Sequence, residues 1–308
     1  MRFAVVGAGA IGCYFGGRLA QAGANVTFLA RGATLTALRE RGLQVRSLRG
    51  DFELPVAADD DPNAIGPCDV VLFCVKSFDT EAAAASLPPL LHRETGVLSL
   101  QNGVDNEEKL ARAIGEERVL AGAAYILAAV VQPGVIEDRG GPGSILFGEL
   151  DGTRSARAER LLDWFRRAQV AAEIDPGIRA TLWDKFSFIC GMAGMTAATR
   201  LPIGAIRATP ASWAMFRRIV SEVVALAEAE GVHLPADSVE RHAAFAQRLE
   251  ADGTTSLYHD LVHGKPLELD ALHGFVVRRA ARHDLAVPAC EAVYALLAPW
   301  AEQNARNG

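Results

Sequence analysis

The opening stretch MRFAVVGAGAIG constrains this chain more than any other. Phe3, Ala4, Val5 and Val6 form a short apolar run that reads as a buried strand, and Gly7, Gly9 and Gly12 follow it in G-x-G-x-x-G spacing. A helical pattern over 13–22 comes directly after. In such a strand–turn–helix the first glycine makes a tight turn. The second lets the backbone approach a pyrophosphate, and the third lets helix pack closely on strand. The helix start offers free N–H groups and the positive end of its dipole to the phosphates. Dinucleotide binding is therefore expected at Gly7, Gly9, Ala10, Ile11 and Gly12.

The next strand sharpens the cofactor. Residues 25–30 (NVTFLA) read as strand and end in Arg31-Gly32, with no carboxylate from Val26 to Arg39. NAD-binding versions of the motif hold the ribose 2′-hydroxyl with an acidic residue near this point. A guanidinium fork suits a 2′-phosphate instead. Arg31 thus favours NADP(H) over NAD(H).

At 308 residues the chain has room for two domains with cores of their own. The net charge of −6, without a Lys/Arg tract interleaved with aromatics, argues against a nucleic-acid groove. Five scattered cysteines, never in C-x-x-C spacing, fit reduced thiols rather than a disulfide frame or a zinc site. No metal is expected from the seven histidines either, although His259 and His263 stand at i, i+4. No apolar stretch reaches the length of a membrane span, and the glycine turn explains the N-terminal apolar run better than a signal peptide does. A cytoplasmic location is expected.

The first half alternates strand-like and helix-like segments, as a parallel, doubly wound sheet requires. Residues 69–75 (DVVLFCV) are continuously apolar, the mark of a strand buried on both faces. Further strands are expected over 43–47, 52–56, 96–100 and 119–123. Two late edge strands, 135–138 and 144–148, are expected on either side of a glycine turn at 140–143. From about residue 175 helical spacing takes over, over 178–199, 212–230, 238–250, 254–263, 267–283 and 289–304. The fold class is α/β, a Rossmann-type doubly wound sheet over 1–175 followed by an all-helical domain over 176–308. A cleft between two such domains is where a substrate would meet a nicotinamide.

Four features outside the glycine loop are unusual for structure alone. Lys76 follows the buried strand, on the ligand edge of the sheet. Gln101-Asn102-Gly103 follows the next strand. Trp183-Asp184-Lys185 interrupts an otherwise apolar helix, and Lys265-Pro266-Leu267-Glu268-Leu269-Asp270 opens another, with Glu268 in its first turn, where the dipole favours an anion. Each has a plain structural alternative: a strand end, a turn, a snorkelling lysine and a helix cap.

Taken together and in order, the GAGAIG loop, Arg31, Lys76, the Q-N-G turn, the L-W-x-K helix, the E-L-D segment and Val287-Pro288 resemble the ketopantoate reductases (2-dehydropantoate 2-reductases) over nearly the whole chain. The resemblance implies reduction of a 2-oxo acid by NADPH. It implies that Lys185 is the catalytic lysine and Glu268 the active-site glutamate that orients substrate and lysine. It further implies that Asn102 bridges cofactor and substrate, that Ser256 helps bind the substrate carboxylate, and that Lys76 lies on the cofactor side. An ammonium beside the carbonyl supplies both the proton and the electrostatic help that a developing oxyanion needs.

Three positions depart from the family. Ile189 one turn beyond Lys185, Ile203 after Pro202 and Gly253 stand where pantothenate-precursor enzymes carry asparagines. Ile189 is expected on the substrate side, where it offers no amide to a hydroxylated substrate. A D-2-hydroxyacid dehydrogenase acting on branched or aromatic 2-oxo acids is the first alternative, and a non-catalytic dinucleotide sensor a second. The expected partner is a small 2-oxo acid, neither nucleic acid nor membrane, and a homodimer is left open.

Overall fold

Strand β1 (Arg2–Val6) has no outward face. Phe3 and Val5 enter one apolar core and Ala4 and Val6 another, all at 2 % exposure or less. That division is what a run of consecutive apolar residues demands. Side chains alternate across a strand, so both faces must be covered. The structure, a computed structural model, describes residues 1–307. Nine further strands join β1: β2 (Asn25–Leu29), β3 (Leu43–Ser47), β4 (Phe52–Leu54), β5 (Ala57–Asp59), β6 (Val70–Phe73), β7 (Gly96–Ser99), β8 (Val119–Gln132), β9 (Val135–Glu149) and β10 (Ala171–Ile174).

The sheet runs in the order β4-β3-β9-β8-β7-β6-β1-β2-β5, with β10 paired to β9. β1 lies parallel to β2 on one side and to β6 on the other, and β6, β7 and β8 continue in parallel. Chain order therefore reverses direction at β1. Open α/β sheets bind ligands beyond the carboxyl ends of the strands at such a point. Each fully buried Phe, Val or Leu along these strands contributes roughly 1.5–3 kcal/mol. Helix α1 (Ala10–Gln21) packs into the core on the Phe3 and Val5 side, burying Cys13, Tyr14, Phe15 and Leu19.

The far side of the sheet corrects the expectation for 119–148. In place of short strands split by a glycine turn, β8 and β9 form one long antiparallel pair with register shifts at Tyr125–Leu127 and Leu127–Ala128. Gly140, Gly141 and Gly143 take φ of 122°, 79° and 63°, so the positive φ read from sequence as a turn is absorbed as strand irregularity. Asp138 pins it. Its buried carboxylate accepts from Ser47 Oγ at 2.6 Å, Arg49 Nη1 at 2.7 Å and the Gly140 amide at 3.0 Å.

The chain divides into two compact units, Met1–Ile178 and Arg179–Gly308. The second is helical, with helices Pro210–Ala229, Ser238–Arg248, Ser256–Val262, His273–Ala280 and Pro288–Asn307 following Ile178–Thr199. A short helix at Ile203–Ala208 escapes the sequence pattern because it lies directly after Pro202. Glu222 holds the last helix in place, its carboxylate accepting the Ala289 and Cys290 amides, each at 2.9 Å. That satisfies two of the orphan donors of a helix start inside the core. Among the described residues no helix is long and apolar enough to cross a membrane.

Candidate active site

The glycine loop is built by close approach. Gly7 has φ +100°, and a Cβ there would lie 2.6 Å from the backbone of Cys74 and Val75. Gly7 is thus what allows the segment leaving β6 to pass directly behind the loop. A Cβ on Gly12 would lie 2.2 Å from the Gly7 carbonyl and 2.8 Å from Val5, so this glycine sets the contact of α1 on β1. Gly9 is the opposite case. Among the described residues nothing lies within 4 Å of where its Cβ would be. Its residue conformation is extended, and it caps α1. Ala10 and Ile11 start the helix half-exposed. Open space over Gly9, beside the first N–H groups of a helix, fits a pyrophosphate.

Three more of the residues expected on the cofactor side lie beyond the carboxyl ends of β2, β6 and β7. Lys76 leaves β6 on the segment that Gly7 admits. Gln101 ties the Asn102 turn to the same segment, donating from Nε2 to the Val75 carbonyl at 3.0 Å and to Thr80 Oγ1 at 2.7 Å. Its Oε1 is buried without a hydrogen-bond partner among the described residues, an uncommon state for a core amide. Asn106 Nδ2 donates to the Asn102 carbonyl at 3.0 Å and so holds that turn. Arg31 caps the helix Gly32–Arg41 with its side chain 85 % exposed, its guanidinium 3.6 Å from the Asp79 carboxylate.

In the helical unit, Lys185 and Ile189 stand one turn apart on the helix Ile178–Thr199, both half-buried. At 3.6 residues per turn, Thr196 projects from the same face as Lys185, about 16 Å along the axis. The Thr196 hydroxyl lies 3.0 Å from that of Thr255, the residue capping the helix that begins with Ser256. Ser256 is thereby tied to the lysine-bearing helix, three turns from the lysine. Ile203 is fully buried, and its amide donates to the Gly253 carbonyl at 2.9 Å. Its side chain therefore belongs to the core, whereas Ile189 is partly exposed one turn from Lys185.

Glu268 needs a correction. It does not sit in the first turn of a helix, because the helix begins only at His273 and Glu268 lies in the turn before it. The buried Leu267, Leu269 and Leu272 mimic helical spacing but are carried by a turn in which the Leu272 amide donates to the Glu268 and Leu269 carbonyls, each at 3.2 Å. The dipole argument for Glu268 goes with it.

Sequence reasoning missed what holds this segment. His273 is fully buried, with Nε2 3.0 Å from the Cys190 carbonyl on the lysine-bearing helix. Gly194 makes room for the ring, since a Cβ there would lie 2.5 Å from Nε2. Burial pushes the imidazole down to about 4, so it is neutral and donates through Nε2–H. Phe275 adds ring contacts to Trp183 and Phe186 at 5.9 and 5.8 Å. A buried histidine between apolar neighbours was the available signal.

Asp184, next to the lysine, does similar work on the other flank. It accepts from Ser238 Oγ at 3.0 Å and Arg241 Nη2 at 2.9 Å, with His242 Nε2 at 3.2 Å. Burial alone would push its carboxyl up, but these partners outweigh it and hold it below the usual carboxylate range. Glu107 was also missed. It lies in the first turn of the helix after the Asn102 turn, and burial pushes its carboxyl up to about 7.

Known proteins share this sequence and fold over nearly the whole chain. Residues 3–152 match the family described as ketopantoate reductase PanE/ApbA, and 177–301 match its C-terminal part. A 2-dehydropantoate 2-reductase of Halobacterium salinarum is 35 % identical, over 94 % of this chain and 95 % of its own. An uncharacterized oxidoreductase of Bacillus subtilis, YkpB, is 32 % identical over 96 % of this chain and 98 % of its own. A crystal structure of a PanE/ApbA family ketopantoate reductase from Ralstonia eutropha is 34 % identical with a TM-score of 0.91, covering 99 % of this chain and all of that one. With a glycine loop at the switch point of its sheet and a lysine-bearing helix in its helical unit, the chain belongs to the ketopantoate reductase family and is an oxidoreductase acting on a CH–OH group.

Proposed function

We propose that the protein is an NADPH-dependent 2-dehydropantoate 2-reductase, reducing ketopantoate to pantoate. The observation that carries this reading is the arrangement at the carboxyl ends of β1, β2 and β6. There an open backbone cradle over Gly9 is accompanied by an outward arginine and a lysine. Gly7, Gly9, Ala10, Ile11 and Gly12 hold the pyrophosphate, Arg31 and Lys76 the 2′-phosphate side, and Asn102 the nicotinamide side. The bound cofactor supplies a hydride to the carbonyl carbon.

The chain's own task is to neutralise and protonate the oxygen. Lys185 donates a hydrogen bond to the substrate carbonyl oxygen and passes it a proton as negative charge develops there. Glu268 orients the lysine and the substrate hydroxyl, and Ser256 bonds the substrate carboxylate. Hydride to carbon and proton to oxygen yield the 2-hydroxy acid with charge and atoms balanced. A positioned general acid of this kind is commonly worth about 10²–10⁴ in rate. Asp184 and His273 act at one remove, fixing the lysine-bearing helix and the Glu268 segment.

The test is NADPH oxidation by the purified protein over a panel of 2-oxo acids that includes ketopantoate, with the product identified. Pantoate formation is expected. Tight NADPH binding without turnover of any 2-oxo acid would overturn the reading in favour of a nucleotide sensor.

A further inference from the structure

The run after β2 offers no carboxylate to a ribose, yet the folded unit brings one there from elsewhere. Asp79 follows β6 by way of Lys76 and a single 3₁₀ turn, Ser77–Asp79. Gly7 fixes where this segment runs, because it packs against the backbone of Cys74 and Val75 with no room for a Cβ. β6 lies beside β1, and β1 beside β2, so the segment leaving β6 and the residues leaving β2 border the same end of the glycine loop. There the Asp79 carboxylate stands 3.6 Å from the Arg31 guanidinium, with the two side chains 40 % and 85 % exposed. Both groups are exposed at the carboxyl ends of the strands that flank β1.

Resting on the assignment of Arg31 to the 2′-phosphate, we propose that Asp79 is a second determinant of cofactor choice and opposes Arg31. Its carboxylate competes with the 2′-phosphate for the guanidinium and repels the phosphate. Toward a cofactor with a free 2′-hydroxyl it acts as an acceptor, the role that an acidic residue after the second strand plays in NAD-binding sheets. Discrimination at this ribose is then the difference between two charges supplied by two loops, and the paired carboxylate keeps the preference for NADPH moderate. The exposure of both partners makes the opposition dependent on salt.

Asp79→Asn keeps the shape and removes the charge. Dissociation constants for NADPH, NADH, 2′,5′-ADP and 5′-ADP are measured by fluorescence titration and calorimetry at low salt, for the wild type, Asp79→Asn, Arg31→Ala and the double variant. Asp79→Asn is expected to tighten NADPH and 2′,5′-ADP by about twofold to fivefold, the scale of one exposed charge pair. It should leave NADH and 5′-ADP unchanged or weaker, and the gain should shrink as salt is raised. Unchanged or weaker binding of the 2′-phosphorylated ligands in Asp79→Asn, while Arg31→Ala still loses them selectively, overturns the proposal and leaves the NADP site standing. If Arg31→Ala does not weaken NADPH relative to NADH, the assignment of the site itself fails, and the proposal with it. Circular dichroism on each variant separates loss of binding from loss of fold.

Discussion

The two units of this chain hold their functional residues in different ways. In the first unit the proposed phosphate cradle is backbone. Gly7 and Gly12 are there because a side chain would collide with the Cys74–Val75 backbone or the Gly7 carbonyl, while Gly9 faces open space. In the helical unit the residues proposed to act on the substrate are side chains carried on separate segments, held by polar ties between those segments. His273 bonds the Cys190 carbonyl, Thr255 meets Thr196, and Asp184 is gripped by Ser238 and Arg241. Steric necessity leaves a mark in local sequence, whereas long-range ties leave almost none.

The comparison breaks first at Gly12. With a valine there, the branched side chain must displace the Gly7 carbonyl, 2.2 Å from the new Cβ. Backbone gives way less readily than a side chain, and overpacking costs roughly 1–3 kcal/mol or more. Gly12→Val is expected to abolish NADPH binding, weakening it by at least about a hundredfold, as fluorescence titration would read.

The helical unit should break through its buried ties, and with a pH signature. His273 titrates near 4 when folded and about 6.5 when unfolded. At neutral pH neither state carries the proton. As pH falls from about 6.5 to about 4 the unfolded chain gains a proton that the folded one refuses, so stability is lost across that window. The total is on the order of 3 kcal/mol. His273→Asn retains a donor for the Cys190 carbonyl but does not titrate. Urea denaturation from pH 7 to 4 should show the wild type losing this much more stability than the variant. Parallel pH curves would show that the imidazole is not sealed from protons.

Much of the nucleotide unit was legible from residues alone, including the strand–glycine–helix start, the doubly buried strand at 70–73 and the exposed arginine after β2. Asp79 was not, because its relation to Arg31 exists only once β6 and β2 flank β1. The bulged β8–β9 pair was misread since glycines at positive φ look the same in a turn and in an irregular strand. In the helical unit, the lysine-bearing helix was plain from its apolar length. The Glu268 turn was not, since three buried leucines imitate helical spacing. Glu107 drew no expectation, because nothing local marks it as buried.

Cofactor choice gives a smaller effect. Arg31→Asp places a carboxylate where the 2′-phosphate would sit and adds to the charge of Asp79. The ratio of kcat/KM for NADPH over NADH should fall by about tenfold or more, the worth of a charge-assisted bond. An unchanged ratio would reduce Arg31 to a surface residue. Smaller still is the effect at Ile189, which presents a half-buried apolar side chain one turn from Lys185. Ile189→Asn restores an amide and should raise the preference for ketopantoate over its deoxy analogue 2-oxo-3,3-dimethylbutanoate by a few-fold, about the 0.5–1.5 kcal/mol of one net hydrogen bond. Steady-state kinetics on the pair of substrates reads it, and no change would remove Ile189 from the substrate side.

The division of labour between the units meets its most direct test in Lys185→Ala, with NADPH affinity and turnover of ketopantoate measured on one preparation. Under the proposed function the nucleotide is held by residues of the first unit and Lys185 acts only on the substrate oxygen. NADPH should therefore bind within about threefold of wild type while kcat falls by about 10²–10⁴. A kcat loss below about tenfold, or a loss of NADPH affinity that accounts for the lost turnover, would contradict it.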